Sequence, residues 1–371
     1  MKKIVIVIGT RPEAIKCAPI INAAKSRFNH HFEINVVTTS QHKEVLDDVF
    51  DCFGISPNHI LELNRTTTLL SELQSQLVFQ LEQYFIANKP DIVLVQGDTI
   101  STLSGAMAAF FQKIPIAYVE SGLRSNSLSE PFPEEGHRRI ITPLCKWHFT
   151  PTASATKALE TEGIIDNIYE VGNTVVDALD YVNNIGFKNK DHQHEWVHKK
   201  NKDRKTVLVT IHRRENWTHR FESIMNALKQ VASSNPTELD IVWVSHPNPN
   251  LIERANLAFK SFENIYIYPP ANYFQLLHLM SNSYLVLSDS GGIQEEAPSF
   301  NVPVLVARKV TERMEGINLG CAKLVGTDET TISKAIQELL SNEGLYQQMS
   351  GLENPYGNGT ASDQILEILS H

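Results

Sequence analysis

The chain has 371 residues, 42% of them hydrophobic and 20% charged, a globular composition with room for two domains that each bury a core. Its formal charge of −9 leaves no basic excess to displace counterions from a nucleic-acid backbone, which excludes nucleic acid as the main partner but not a small anion met by a local cationic cluster. Cys17, Cys52, Cys145 and Cys321 stand far apart with no C-x-x-C and no His at ligand spacing, a pattern of reduced, mostly buried thiols in a cytoplasmic protein.

The first half alternates short β-branched runs with helical patterns. "KIVIVI" (3–8), "FEINVVTT" (32–39), "DIVLVQ" (91–96), "IPIAYVE" (114–120) and "IYEVG" (168–172) read as strands. Helical spacing occupies 13–27, 41–53, 69–87, 100–111, 134–146 and 153–162. The first apolar run is too short for a signal peptide and is interrupted by Arg11 and Glu13, so it is a first strand. No stretch approaches the roughly 20 apolar residues of a membrane span, so a soluble protein without a membrane partner is expected.

The segment 183–205 is the most polar of the chain and reads as a tether. Its histidines at 192, 194 and 198, with His212 further on, read as solvated, because no closed ligand set has plausible metal spacing. Beyond it the theme repeats: strands at 206–211, 239–245, 264–269, 284–289, 302–307 and 322–327, and helices at 219–233, 272–281, 292–299 and 330–341. Continuous apolar strands alternating with helices mean parallel sheets covered on both faces, hence an α/β fold of two doubly wound, Rossmann-like domains.

Ligands bind beyond the carboxyl ends of the strands of such sheets, and the unusual residues fall there. Arg11 follows the first strand, Asp98 the strand at 91–96, and Glu120 ends the strand at 114–120. In the second half "IHRREN" brings His212, Arg213 and Arg214 past one strand. "SHPNP" brings His246 past the next, and "SDSGGIQEEAP" brings Ser290, Gly291 and Gly292 past a third.

Each residue has a structural reading beside the functional one. Asp98 in "GDT" suits a helix N-cap. Glu134 and Glu135 after Pro133 suit a first helical turn. Glu120 in an apolar strand is harder to explain, since a buried carboxylate is costly unless paired. Arg11 and Lys16 at the opening of the first helix suit a held anion or a solvated turn. Two glycines at a strand–helix junction let N–H groups cradle phosphate. Glu296 adds a hydroxyl acceptor and Arg313 a phosphate clamp. Together they ask for a diphosphate beside a neutral polar group, with three carboxylates supplied by the first half.

The motifs "GTRPEAIK", "QGDT", "VESGLRS", "PFPEE", "GNTVVDAL", "HRREN", "HPNPN", "DSGGIQEEAPS", "TERMEG" and "NPYGNG" run through the whole chain in order. The composite resembles the bacterial non-hydrolysing UDP-N-acetylglucosamine (UDP-GlcNAc) 2-epimerases. The resemblance implies two domains of glycosyltransferase-B type facing across a cleft: 1–172, rejoined by 360–371, and a UDP-binding domain over 173–359. It also implies a homodimer and reversible inversion at C2 of UDP-GlcNAc to UDP-ManNAc, through elimination of UDP to 2-acetamidoglucal and re-addition, for polysaccharide precursor synthesis. Asp98, Glu120, Glu134 and His212 are then the catalytic candidates. Arg11, Lys16, Asp98, Glu120, His212, Ser290, Gly291, Gly292, Glu296 and Arg313 bind substrate, with Glu296 on the ribose hydroxyls. No step is redox, so no cofactor is expected, and no metal.

The sequence departs from the family where "VEAGLRT", "PFPEExNR" and "TERPE" are usual: Ser121, Ser125, "GHRR" (136–139) and Met314 stand there. These positions leave a modified UDP-HexNAc open as substrate. Of the family's allosteric stretch, Gln41 and His42 are present, Glu44 replaces a usual Gln, and Thr66 and Thr67 fall near the expected Arg-Gln pair. "YPPANYF" (268–274) is a candidate uracil pocket through its backbone. Three rival classes are a hydrolysing epimerase, a glycosyltransferase on the same fold, and a UDP-sugar-binding protein without activity.

Overall fold

A computed structural model describes residues 1–39, 43–129, 131–186 and 193–371. The chain forms two compact units, Met1–Tyr181 with Tyr356–His371, and Val182–Pro355. The first unit begins β1 (Lys2–Ile8), α1 (Arg11–Ser26), β2 (Phe32–Thr38), α2 (Lys43–Phe53), β3 (His59–Ile60) and α3 (Leu70–Asn88). It continues β4 (Ile92–Gln96), α4 (Ile100–Phe111), β5 (Ile116–Val119), α5 (Glu134–Ile141), β6 (Trp147–Thr150), α6 (Ala153–Thr161), β7 (Ile168–Glu170) and α7 (Thr174–Ile185).

Among the described residues these strands make a seven-stranded sheet in the order β3-β2-β1-β4-β5-β6-β7, with parallel pairing throughout. Ile4 aligns with Ile34 on one side and Ile92 on the other, and Ile4 to Ile8 are all buried because helices cover both faces. α3 supplies Leu73, Leu77, Leu81 and Phe85 at four-residue spacing, one apolar stripe closing one face of the sheet. The chain leaves β1 toward β2 and returns to its other side at β4. That reversal opens a crevice beyond the carboxyl ends of β1 and β4.

The second unit runs α8 (Glu195–Lys199), β8 (Lys205–Thr210), α9 (His219–Ser234), β9 (Leu239–Val244), α10 (Pro249–Phe259), β10 (Ile265–Tyr268), α11 (Tyr273–Met280), β11 (Leu285–Ser288) and α12 (Gly291–Glu296). It closes with β12 (Val304–Val306), α13 (Met314–Leu319), β13 (Ala322–Leu324), α14 (Glu329–Ser341) and α15 (Glu343–Ser350). Its six-stranded parallel sheet has the order β10-β9-β8-β11-β12-β13 among the described residues, so the reversal lies between β8 and β11. Trp243 of β9 fills one face between Phe221 and Phe259, edge-on to Phe221 at 5.4 Å between ring centres. The last helix, α16 (Ala361–Ser370), packs on α1 of the first unit. There the backbone N–H of Ser362 donates to Asp177 at 2.7 Å, and Lys2 donates to the Leu369 carbonyl at 2.9 Å.

Three sequence expectations change. The helix expected to reach 146 ends at Ile141, and Trp147–Thr150 is a strand. Its four residues are too few for a periodic signal, and the buried polar His148 within it is satisfied by Ser121 Oγ at 3.1 Å. The helix over Pro249–Phe259 is not among the sequence expectations, although Leu251, Ala255 and Phe259 recur at four-residue spacing and form its buried face. It is nucleated by the Asn248 side chain, which accepts from Asn250 N, and by Pro249 at its start. The segment 183–205 starts at the boundary between the two units, as a tether would, but its histidines are not all solvated and it carries helical structure where it is described. α7 runs to Ile185, and Trp196 of α8 is buried with its ring 4.2 Å from Tyr266. His194, expected to be solvated, is buried beside His278, whose Nδ1 accepts from its backbone N–H at 3.0 Å. One aromatic anchor draws this polar stretch onto the sheet; His198 is exposed, and His192 lies outside the described residues. Among the described residues no helix is long and apolar enough to cross a membrane.

Candidate functional site

In the first unit the β1–α1 turn and the β4–α4 turn meet at the crevice, tied by Glu13. One Glu13 oxygen, Oε2, accepts from the backbone N–H groups of Gly9 and Thr10 (3.0 Å to Thr10). The other, Oε1, meets the hydroxyls of Thr99 and Thr102 (3.1 Å to Thr102). Glu13 is 2% exposed. Burial pushes its carboxyl up to about 7, against the pull of these hydrogen bonds.

One turn further along α1, the Lys16 ammonium lies 2.7 Å from Glu120 Oε1 in a pair of which both members are buried. The second Glu120 oxygen accepts from the Gln96 amide. Glu120 follows the last residue of β5 and takes a left-handed backbone (φ +63°), which turns its side chain out of the strand's alternation. Two residues on, Gly122 has φ +92° and abuts the Ala155 carbonyl so closely that a Cβ would lie 2.3 Å from it. A glycine is required there to let the chain turn.

Asp98 Oδ2 accepts from Arg138 Nε at 3.0 Å, and its carbonyl lies 2.8 Å from His137 Nδ1. Arg138 also reaches the fully buried Glu135 at 3.2 Å, and Arg139 reaches the same carboxylate at 2.9 Å. Glu134 opens α5, and its Oε2 is buried without a hydrogen-bond partner among the described residues. Arg11 is the first residue of α1 and half-buried.

In the second unit the corresponding tie is Asp289, fully buried after β11. Its Oδ1 accepts from His212 N at 3.0 Å and lies 3.1 Å from His212 Nδ1. Its Oδ2 accepts from Arg213 N at 3.0 Å and Asn216 Nδ2 at 2.8 Å. The carboxylate thereby organises the whole "HRREN" turn beside α12. Ser290 caps that helix, its hydroxyl accepting from Ile293 N at 3.4 Å. The Arg313 guanidinium covers the start of the helix: a Cβ on Gly291 would stand 3.1 Å from its central carbon. Arg313 Nε is held at 3.0 Å by Glu295, and Nη1 by Glu312. Burial alone raises the Glu312 carboxyl, but Arg313, Arg308 and Arg213 around it outweigh that and hold it at about 2. Glu296, at the end of α12, is buried.

The sequence candidates fall beyond the carboxyl ends of the strands of each sheet: Arg11, Lys16, Asp98 and Glu120 in the first unit, with Glu134 at the start of α5, and His212, Ser290, Gly291, Gly292, Glu296 and Arg313 in the second. Lys16 is engaged by a carboxylate of its own unit. Three residues that the sequence pattern does not single out hold the candidates in place: Glu13, Gln96 and Asp289. Glu13 carries a signal, the T-x-x-E pattern opening a helix. Asp289 carries one too, an acid closing the apolar run "YLVLS". Thr66 and Thr67 both donate, through backbone and hydroxyl, to Glu72 at 2.6–2.8 Å. Gln41, His42 and the Glu44 side chain lie outside the described residues. Among the described residues no group of His, Cys, Asp and Glu is arranged to hold a metal.

A family model for UDP-N-acetylglucosamine 2-epimerase matches residues 24–370. The UDP-N-acetylglucosamine 2-epimerase of Salmonella typhimurium is 41% identical over 371 residues, covering 99% of this chain and 98% of that protein. The crystal structure of the Neisseria meningitidis UDP-GlcNAc 2-epimerase bound to UDP-GlcNAc is 38% identical with a TM-score of 0.90, covering 99% of each chain. That of the Methanocaldococcus jannaschii UDP-GlcNAc 2-epimerase, in complex with UDP-GlcNAc and UDP, is 32% identical with a TM-score of 0.82, again over 99% of each chain. The match across nearly the whole chain establishes that this chain belongs to the UDP-N-acetylglucosamine 2-epimerase family.

Proposed function

We propose that this protein interconverts UDP-GlcNAc and UDP-ManNAc without releasing the free sugar. The observation that carries the reading is Glu120, a buried carboxylate with Lys16 on one oxygen and Gln96 on the other. A carboxylate fixed at both oxygens just past the end of its strand is positioned to exchange a proton with a sugar held there. The relatives crystallised with UDP-GlcNAc and with UDP support a UDP-sugar as substrate.

In this reading the second unit holds UDP. Arg313, His212 and the N–H groups after Ser290 neutralise the diphosphate, and Glu296 accepts from the ribose hydroxyls. Carboxylates of the first unit act on the sugar. A base removes the C2 proton, the C2–H electron pair becomes the C1=C2 bond of 2-acetamidoglucal, and the C1–O bond breaks with its pair leaving on UDP. Re-addition of the diphosphate oxygen at C1, with a proton delivered to C2 from the opposite face, gives the epimer. Two faces need two proton-transfer groups, and Asp98, Glu120 and Glu134 supply them. Charge on the departing diphosphate is met by fixed cations and N–H dipoles. The protein acts as a cytoplasmic homodimer that supplies a precursor for surface polysaccharide, and no cofactor enters the balance.

Proton NMR of the protein with UDP-GlcNAc in D2O tests this. A new UDP-ManNAc anomeric signal with deuterium entering C2 is expected. Free ManNAc from the outset would assign the hydrolysing reaction instead. An unchanged spectrum from protein that binds UDP would point to a modified HexNAc or to a transferase awaiting its acceptor.

A further inference from the structure

We propose that Glu13 is the positioning residue for Glu120, setting from one buried carboxylate both groups that grip the Glu120 oxygens. The inference rests on the reading that Glu120 exchanges a proton with the sugar.

Two paths lead from Glu13 to Glu120. Along α1, Glu13 fixes the first turn by taking the N–H groups of Gly9 and Thr10. Lys16, three residues on, leaves the same face of the helix and reaches Glu120 Oε1. Across the sheet reversal, Glu13 Oε1 meets the Thr102 hydroxyl at 3.1 Å, and that hydroxyl lies 2.8 Å from the Gln96 carbonyl. Gln96 then donates its side-chain amide to Glu120 Oε2. The backbone of Gln96 is thus tied to the Glu13 network while its side chain holds the reacting carboxylate. The Thr99 hydroxyl supplies a second tie across the same reversal and caps α4.

The chemistry of the donors explains why a carboxylate is needed. Gly9 N and Thr10 N can only donate, so Oε2 must accept. Thr99 and Thr102 are hydroxyls and can donate or accept, so Oε1 serves with or without a proton. A glutamine that keeps its carbonyl oxygen on Gly9 N and Thr10 N presents to Thr99 and Thr102 an NH2 that can only donate, so neither hydroxyl can any longer donate to residue 13. Shifts well below 1 Å at Lys16 and Gln96 follow, and those two side chains define where the Glu120 carboxylate stands.

The test compares wild type, Glu13→Gln, Thr102→Val and the double variant, reading kcat and KM for UDP-GlcNAc together with the Kd for UDP by calorimetry. Glu13→Gln is expected to lose about tenfold or more in kcat, since misplaced reacting groups are expensive. The UDP Kd, which the second unit sets in this reading, stays within about twofold, and the loss falls on kcat more than on KM. Thr102→Val, which keeps the shape of the side chain, loses about threefold in kcat, and the double variant is no worse than Glu13→Gln because both break one path. Should Glu13→Gln fail to fold, the kcat-specific loss in Thr102→Val decides alone. A variant with wild-type kcat, a loss confined to KM, or losses that multiply fully would overturn the inference. A wild-type protein that leaves UDP-GlcNAc unchanged would sink the underlying reading first. Turnover in wild type with none of these losses in the variants sinks only the role of Glu13.

Discussion

Asp289 Oδ1 holds His212 twice, accepting from its backbone N–H at 3.0 Å and lying 3.1 Å from its ring Nδ1. The carboxylate accepts only, so this contact sets both the peptide orientation and the tautomer, with the Nδ1 proton on the Asp289 side. The same carboxylate takes Arg213 N and Asn216 Nδ2 on its other oxygen, so four donors surround an anion with no solvent access.

Asp289→Asn turns an NH2 group toward one pair of those donors. Leaving a buried donor unmet costs about 1–3 kcal/mol, a drop of several degrees in Tm for a unit of this size. The His212 ring also loses its orientation, so the UDP Kd is expected to rise about tenfold. Calorimetry and a thermal scan measure both, and unchanged UDP affinity would remove Asp289 from the binding machinery.

Glu120→Gln and Asp98→Asn are each expected to lower turnover about 10²-fold or more, the range for a lost acid/base group. Their UDP affinity should stay near wild type, because neither residue belongs to the second unit. Near-normal rates in both variants would reject these carboxylates as proton carriers.

Much of this is legible in the sequence because the α/β pattern puts functional residues just after apolar strands. That rule alone locates Arg11, Asp98, Glu120, His212 and Ser290. What the rule does not reach is which residue bridges a sheet reversal. Glu13 and Thr102 are 89 positions apart, and Asp289 and His212 are 77 apart. Nothing local in either member of such a pair reveals the other. The polar run at 183–205 misleads for a related reason: its composition is that of a linker, while the burial of Trp196 depends on a partner far along the chain, Tyr266.

Gly291 sits under the Arg313 guanidinium, and a methyl group there would come within 3.1 Å of the cation's carbon. The far end of an arginine moves easily, so Gly291→Ala should shift the guanidinium by a few tenths of an ångström and leave the fold intact. If Arg313 meets the diphosphate as proposed, such a shift weakens that contact. The expected result is a UDP Kd weakened about tenfold with Tm unchanged. An equal fall in Tm would mean that the substitution disturbs α12 itself.

The buried Glu13 carboxyl makes stability depend on pH in a direction opposite to that of a salt-bridged acid. Burial raises it from 4.5 to about 7 in the folded protein, so between those values the native state binds a proton that the unfolded chain has released. Stability from this group is complete below pH 4.5 and is lost as pH rises through about 7. Two and a half pH units correspond to about 3 kcal/mol. The Oε1 side can accommodate the proton, because the Thr99 and Thr102 hydroxyls there accept as readily as they donate. Urea unfolding of wild type and Glu13→Gln at several pH values between 5 and 8 isolates the contribution. Wild type should lose stability toward pH 8 relative to the variant, which has no proton to release. A difference between the two proteins that does not change with pH would mean that Glu13 keeps an ordinary carboxylate pKa in the fold, its hydrogen bonds outweighing its burial.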